Sequence, residues 1–269
     1  MNIGDMGVPF IYQGEELIYP EYVKDGLVLH YDFSGMTNND ASKDIARDLS
    51  GNGNHGTLQN FNFTPESGYD KNKLLFDGVD DTILTGNNPS LNISTPLTLE
   101  CLVELPAVFD HIGELVVKGT TFSRSQNYSL SYHTNGAIYF EVGTDNPSRT
   151  FAHFLANGFR EKKIFLQGVC RNDGLYIYIN GEQVSYSPFE IQNIPLITSH
   201  MGISVGSNKK AKADVFSTRI YNRPLTPEEI QHNYEIEKER FIDRVYPIPL
   251  SQPIGQGKIS ETLKVGGDI

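Results

Sequence analysis

From Gly26 onward the chain alternates apolar and polar positions with a period of two. In GLVLHYDF, Leu27, Leu29, Tyr31 and Phe33 fall on one side and Val28, His30 and Asp32 on the other, the pattern of a half-buried strand. KLLFDGVDDTIL reads as two short strands around a tight Asp-Gly turn, and LTLECLVEL as a further strand. YSLSYHTNGAIYFEV and LYIYINGEQVSY each place an Asn-Gly pair, Asn135-Gly136 and Asn180-Gly181, between alternating arms. That is the strongest short hairpin signal, because both turn residues must accept positive φ. KIFLQGVCR, MGISVGS and VFSTRIYN add strands. Many short strands punctuated by turns, with no helix between them, predict an all-β, two-sheet antiparallel jelly-roll sandwich.

One helix breaks the pattern. In RIYNRPLTPEEIQHNYEIEKERF, Thr226 is an N-cap, Pro227 takes the first helical position, and Glu229 completes a capping box three residues on. Glu228 and Glu229 set negative charge at the positive end of the helix dipole. Ile230, Tyr234, Glu237 and Phe241 recur at helical spacing, which predicts an amphipathic helix over 227–240 that plugs the open end of a sheet.

The flanks read differently. Residues 1–24 mix Pro, Gly and scattered aromatics (Phe10, Tyr12, Tyr19, Tyr22) and read as an extended arm lying on its own surface or a neighbour's. Residues 25–240 form the sandwich domain. Residues 241–269 are again rich in Pro and Gly and read as an extended C-terminal tail.

Composition narrows the classes. With 22 Lys+Arg against 33 Asp+Glu, the net charge is −11, which argues against non-specific nucleic-acid binding. The one basic cluster, SNKKAKAD (Ser207–Asp214), reads as a solvated loop. Cys101 and Cys170 lie in apolar strand contexts, so two buried thiols are expected rather than a bridge, and no spacing suggests zinc. The N-terminus lacks a basic start and an apolar core, so no signal peptide is expected. No apolar run approaches the roughly 20 residues that span a bilayer, so no membrane partner is expected. The chain has 14 Tyr, 15 Phe and no Trp.

GLVLHYDF, DLSGNGNHGTL, LLFDGVDD, LYIYINGE and RIYNRPLTPEEIQHNY occur in the order and spacing of the laminin-G-like, concanavalin A-like lectin jelly-roll family, and the chain resembles that family from about Gly26 to Lys238. The resemblance implies two curved antiparallel sheets packed face to face, with a short helix beside the sandwich after the last core strand. Two departures stand out. The family's Trp ahead of the YING strand is missing, and Phe165 or Leu166 is expected to fill its space. The acidic position three residues before the Arg of RIYN, which in many members lies near a calcium site, is Phe216. No cofactor is expected; if calcium binds, Asp32 and Asp214 are the first candidates.

Three function classes compete. Glycosidases of related jelly rolls need two facing carboxylates, about 5–5.5 Å apart for retention or about 6.5–9.5 Å for inversion. The nearest pair here, Glu100 and Glu104, shares a strand face at a separation of about 13 Å. No GxSxG, HExxH or phosphate loop occurs, so the expectation is a protein without enzymatic activity. A carbohydrate-binding module needs aromatics and Asp/Asn hydrogen-bonders. The candidates are Asp77, Asp80 and Asp81, Asn52, Asn54 and His55, and Tyr176 and Tyr178, with Asn52, His55, Asp80 and Asp81 the preferred set. The same residues also have ordinary roles in turns and sheet packing, and the absence of Trp weakens the sugar reading. The third class is structural. An acidic chain with a lectin-like core between two Pro-rich arms is similar to virion proteins of bacteriophages, found in tails, baseplates, necks and head fibres. The expected role is therefore a virion structural protein, made in the host cytoplasm and laced to other virion proteins or to itself by its arms. Host-surface glycan is a candidate contact. A carbohydrate-binding module without a virion role is the alternative.

Overall fold

The period-two segments become strands because only an extended backbone sends successive side chains to opposite faces. The computed structural model describes residues 11–13, 16–19, 21–94, 96–119, 126–143, 150–189, 200–206 and 209–238. In chain order the strands are β1 (Ile11–Gln13), β2 (Glu16–Tyr19), β3 (Leu27–Asp32), β4 (Ile45–Ala46), β5 (Gly56–Gln59), β6 (Gly68–Asp70), β7 (Lys73–Asp77), β8 (Thr82–Thr85), β9 (Thr98–Glu104), β10 (Gly113–Gly119), β11 (Gln126–Tyr132), β12 (Ala137–Val142), β13 (Thr150–Leu155), β14 (Lys163–Arg171), β15 (Gly174–Ile179), β16 (Glu182–Pro188), β17 (Met201–Ile203) and β18 (Lys212–Tyr221), followed by helix α1 (Pro227–Lys238).

Two antiparallel sheets form the expected sandwich. Sheet one runs β13-β12-β11-β10-β17-β8-β5-β4, and sheet two runs β16-β15-β14-β9-β18-β7-β6. The ten-residue β18 organises sheet two. One edge pairs with β9 along its length; the other pairs first with β7 and then with β3. The core between the sheets includes Leu29, Tyr31, Phe33, Leu74, Ile83, Leu99, Leu130, Phe140, Leu166 and Ile220. Leu166, not Phe165, enters this core in place of the family's Trp. Phe165 points to the outer side with Leu102 and Phe216. Gly168 lets Phe140 of the opposite sheet press against β14, since a Cβ at 168 would lie 2.5 Å from that ring. Both cysteines are free and buried, and burial pushes both thiols up to about 12.

Several local expectations are corrected. FDGVDD does not close a hairpin. β7 belongs to sheet two and β8 to sheet one, so the corner carries the chain across the sandwich, turning at Gly78 with φ +81°. Asn180-Gly181 is the expected two-residue turn, both residues having positive φ between Ile179 and Glu182. At Asn135-Gly136 only Gly136 has positive φ, because the loop begins earlier. His133 N–H bonds Ala137 C=O, and Gly136 N–H bonds His133 C=O. β3 is buried on both faces except at Asp32, not half-buried. The basic loop is not simply solvated, since the Lys210 ammonium donates to Thr82 Oγ1 at 2.5 Å and to Ser204 C=O at 2.9 Å.

Within the segment expected as an arm, β1 and β2 pair as a two-stranded sheet. Residues 1–10 and the 241–269 tail, with Phe241, lie outside the described residues. Among the described residues no helix is long and apolar enough to cross a membrane.

Candidate functional site

The outer face of sheet two is built in cross-strand rows. One row runs Tyr178, Gln167, Glu100, Arg219, His30 from β15 to β3; the next runs Tyr186, Tyr176, Val169, Thr98, Tyr221 from β16 to β18. Helix α1 lies on the middle of this face. The expected capping box is present: Glu229 N–H donates to Thr226 Oγ1 at 3.3 Å and Thr226 N–H to Glu229 Oε2 at 2.9 Å. The expected stripe is partly corrected. Ile230, Asn233, Ile236 and Glu237 are the buried positions, and Tyr234 is only half-buried. The helix covers a sheet face instead of plugging an end.

Under the helix the contacts are polar. Arg219 Nε donates to Glu100 Oε2 at 2.8 Å and its Nη1 to Glu237 Oε1 at 2.8 Å, with all three side chains fully buried. Asn233 Nδ2 reaches both Glu100 oxygens and the Tyr221 hydroxyl. Gln167 Nε2 donates to Glu100 Oε1. Tyr22 lies over the Arg219 guanidinium at 3.9 Å, and Val23 N–H bonds Asn233 Oδ1. The expected arm is therefore bound to its own sandwich at Tyr22 and Val23. Burial pulls Arg219 toward neutrality, but the charges of Glu237 and Glu100 outweigh it and hold the guanidinium protonated. Glu100 is thus an internal counter-ion, and the Glu100/Glu104 pair offers no facing carboxylates.

Helix α1 packs on the Asn180-Gly181 turn, and toward the other end of β15 and β16, at Gly174 and Pro188, the side chains change character. Tyr176 and Tyr186 stack at 4.7 Å with an interplanar angle of 28°. Arg171 lies over the Tyr176 ring at 4.6 Å. The Tyr176 hydroxyl donates to Asp173 Oδ2 at 2.8 Å and the Tyr186 hydroxyl to Asp173 C=O at 3.1 Å. Partial burial and the neighbouring Asp173 push the Tyr176 phenol up to about 12, so it stays a donor at neutral pH. Tyr186 is 46% exposed on the edge strand β16. Beside these rings a cleft of about 550 Å³ opens between the Asn172–Asp173 turn and the Asn222–Pro224 corner, with Arg171 on its wall. Arg171 is held by Tyr178 Oη and Leu225 C=O, and among the described residues no carboxylate lies within ion-pair distance of it. Arg171, Asp173 and two asparagines give the cleft donors and acceptors for a polar ligand, while the exposed Tyr186 ring lies outside its lining.

The residues preferred from the sequence do not converge. Asn52 Nδ2 is taken up by Leu27 C=O and Ser50 Oγ, and His55 Nδ1 accepts from Asp48 N–H at 3.0 Å. Both belong to a loop wound around the Asp48 carboxylate, which also receives Ser50 and Asn54 N–H. Asp80 is exposed, while Asp81 is 1% exposed and accepts from Ser67 Oγ and Asp77 N–H. β5 pairs with β8 so that Gly56 faces Thr85 and Gln59 faces Thr82. His55 and Asp81 therefore sit at opposite ends of β8, about 17 Å of strand apart. The Asp77, Asp80 and Asp81 carboxylates do gather within 4.8 Å of one another. For calcium, Asp214 is engaged by Lys73 at 2.5 Å and Asp32 caps Ser34 N–H. Asp32 faces Ser217, three residues along β18 from Asp214, so the two carboxylates do not define one metal position. None of the sequence candidates lines the cleft; Tyr176 and Tyr178 pack against its wall residue Arg171, Tyr178 as buried support at 4% exposure. Arg171, Asp173 and Tyr186 were missed. A two-residue turn at Asn180-Gly181 pairs Tyr176 with Ser185 if its register continues, but an irregularity after Tyr178 shifts the pairing to Tyr186.

Two antiparallel sheets packed face to face, with one helix covering an outer face, define a lectin-like β-sandwich. The family model described as the concanavalin A-like lectin/glucanases superfamily matches residues 77–231, and the chain belongs to that superfamily. No curated protein matches the chain in sequence. Among solved structures, Trypanosoma rangeli sialidase shares the fold with a TM-score of 0.57 and 18% identity, over 81% of this chain and 34% of that one. The botulinum neurotoxin serotype D ligand binding domain, solved in complex with N-acetylneuraminic acid, gives 0.61 and 14%, over 80% and 52%. A mutant of the Trypanosoma sialidase displaying trans-sialidase activity gives 0.57 and 18%, over 80% and 33%. The chain thus spans about a third to a half of the length of these solved chains. These likenesses correct one expectation: the fold also occurs within sialidase and trans-sialidase chains, so the reading of this protein as lacking enzymatic activity does not stand.

Proposed function

We propose that this chain is a glycan-binding lectin-like domain carried by a bacteriophage virion protein, and that the exposed Tyr186 ring beside Asp173 is where the glycan sits. The observation that carries the glycan reading is this exposed ring, stacked on Tyr176, with both tyrosine hydroxyls bonded to Asp173. An aromatic face takes the apolar side of a pyranose while fixed donors and acceptors at its rim take the hydroxyls. Sugar-bound relatives of the same fold support this reading, among them the toxin domain in complex with N-acetylneuraminic acid. The virion part rests on the sequence resemblance and on the Pro- and Gly-containing flanks 1–24 and 241–269 that accompany the lectin-like core.

A glycan array probed with the full chain tests the first part. Selective binding that disappears in Tyr186→Ala, and persists in His55→Ala and Asp80→Ala, supports the Tyr186 site. Binding lost only in the latter two moves the site to the opposite loops. Antibody labelling of purified phage particles tests the second part: a chain absent from intact particles leaves a carbohydrate-binding module without a virion role.

A further inference from the structure

We infer that the glycan held at Tyr186 is an oligosaccharide whose chain crosses the β13–β16 edge onto a second aromatic surface. This rests on the glycan-binding reading above and names its ligand class. β13 ends sheet one and β16 ends sheet two, and the two strands adjoin, with Ser185 Oγ donating to His153 C=O at 2.8 Å. Tyr186 is the next residue after Ser185, and its ring stands on one flank of this edge, on the outer face of sheet two. On the other flank Ala152 belongs to the core and Phe154 packs against it, which sends Phe151, His153 and Leu155 of β13 to the outer face of sheet one. Phe151 is 37% and Leu155 60% exposed, and His153 is exposed as well.

The side chains on the β13 flank form an ordered surface. The His153 ring stacks on Tyr139 of β12 at 5.5 Å with an interplanar angle of 19°, and His133 stacks on Tyr139 at 4.0 Å. Phe151 closes the group at 5.4 Å from Tyr139 and 5.8 Å from His153. The His153 imidazole makes no hydrogen bond among the described residues, so its nitrogens are open to sugar hydroxyls. On the Tyr186 flank Asp173 Oδ1 is open in the same way, since the Tyr176 hydroxyl takes Oδ2. Each flank therefore offers exposed rings beside hydrogen-bonding groups, the combination that marks a binding surface for a carbohydrate. A single pyranose on Tyr186 does not also touch Phe151, because the two rings leave opposite outer faces of the sandwich. A chain crossing the edge reaches both, and joining the contacts in one ligand makes the second an intramolecular event.

Calorimetric titration of the full chain with cello-, malto- and chito-oligosaccharides of one to six units, alongside the glycan array, tests this. The expected result is a series whose affinity rises about tenfold or more from the single unit to the longer chains. His153→Ala and Phe151→Ala should each reduce that gain and leave the single-unit affinity as it was, with the circular dichroism spectrum unchanged. His153 lies outside the core, so its variant keeps the test open if Phe151→Ala fails to fold. Tyr186→Ala should weaken the single unit and the chains alike. An affinity that is flat with chain length, or a gain untouched by His153→Ala and Phe151→Ala, overturns the inference and leaves glycan binding at Tyr186 intact. Single-unit binding untouched by Tyr186→Ala overturns the placement at Tyr186. No binding to the array or to any member of the series overturns the glycan reading itself, and this inference with it.

Discussion

Arg219 and Glu237, eighteen positions apart in the chain, meet at 2.8 Å with neither side chain exposed to solvent. That contact fastens the helix to the sheet. It also explains why one helix is so carefully capped in a β protein. Glu237 reaches the buried guanidinium, and Asn233 reaches its partner Glu100, only if α1 starts and runs in one register.

Removing one partner of this network should be expensive. Glu237→Leu leaves Arg219 paired only with Glu100 and is expected to cost about 3–5 kcal/mol. Replacing Glu100, Arg219 and Glu237 together by apolar residues of similar volume should cost far less, because no lone buried charge remains. Chemical denaturation of the single and triple variants checks both, and a triple variant weaker than the single would refute the assignment.

The helix cap is a smaller, separable contribution. Thr226→Ala removes the acceptor of Glu229 N–H and should destabilise by about 0.5–2 kcal/mol. Because Glu229 still holds Arg223, the 222–224 corner and its cleft should keep their shape. Denaturation midpoints and an unchanged sugar affinity would show this together.

Gly168 is a steric test of the core. A methyl there meets the Phe140 ring, so Gly168→Ala should cost about 1–3 kcal/mol through overpacking. Adding Phe140→Leu should recover part of it. Full additivity of the two substitutions in thermal melts would mean that the residues do not touch.

Asp81 gives a pH signature. Burial leads in raising its pKa to about 6 from an ordinary 3.8, with Asp77 and Asp80 adding to it. The folded state therefore holds this proton where the unfolded chain has released it. Stability from this group is greatest below about pH 4 and falls as pH rises toward 6, then levels. Asp81→Asn should flatten that slope, whatever its effect on absolute stability. Urea midpoints between pH 4 and 7 for the two proteins make the comparison.

Much of the fold was legible from local pattern. The Asn180-Gly181 hairpin, the Thr226–Glu229 capping box and the period-two strands depend on neighbouring residues, and each stands where its chemistry put it. The failures were non-local. FDGVDD has the composition of a hairpin turn, yet its strands join different sheets. Asn135-Gly136 looked like a two-residue turn, but its hydrogen bonds reach back to His133. Glu100 was weighed as half of a carboxylate pair until Arg219 and a covering helix made it an internal counter-ion. Asn52, His55, Asp80 and Asp81 looked alike as loop polar groups, but strand pairing sends them to opposite ends of β8.

The sequence by itself determined the clearly alternating strands, the capped helix and the buried thiols, because periodicity and turn chemistry act over a few residues; the lectin-like class came through resemblance, and β4, β5, β6, β10 and β13 were not read from the pattern. Only the tertiary structure decided which strands pair across the sandwich, which charges are internal, and that Tyr186 meets Tyr176 beside Arg171 and Asp173. Those outcomes follow from register shifts and burial, which depend on residues far apart in the chain.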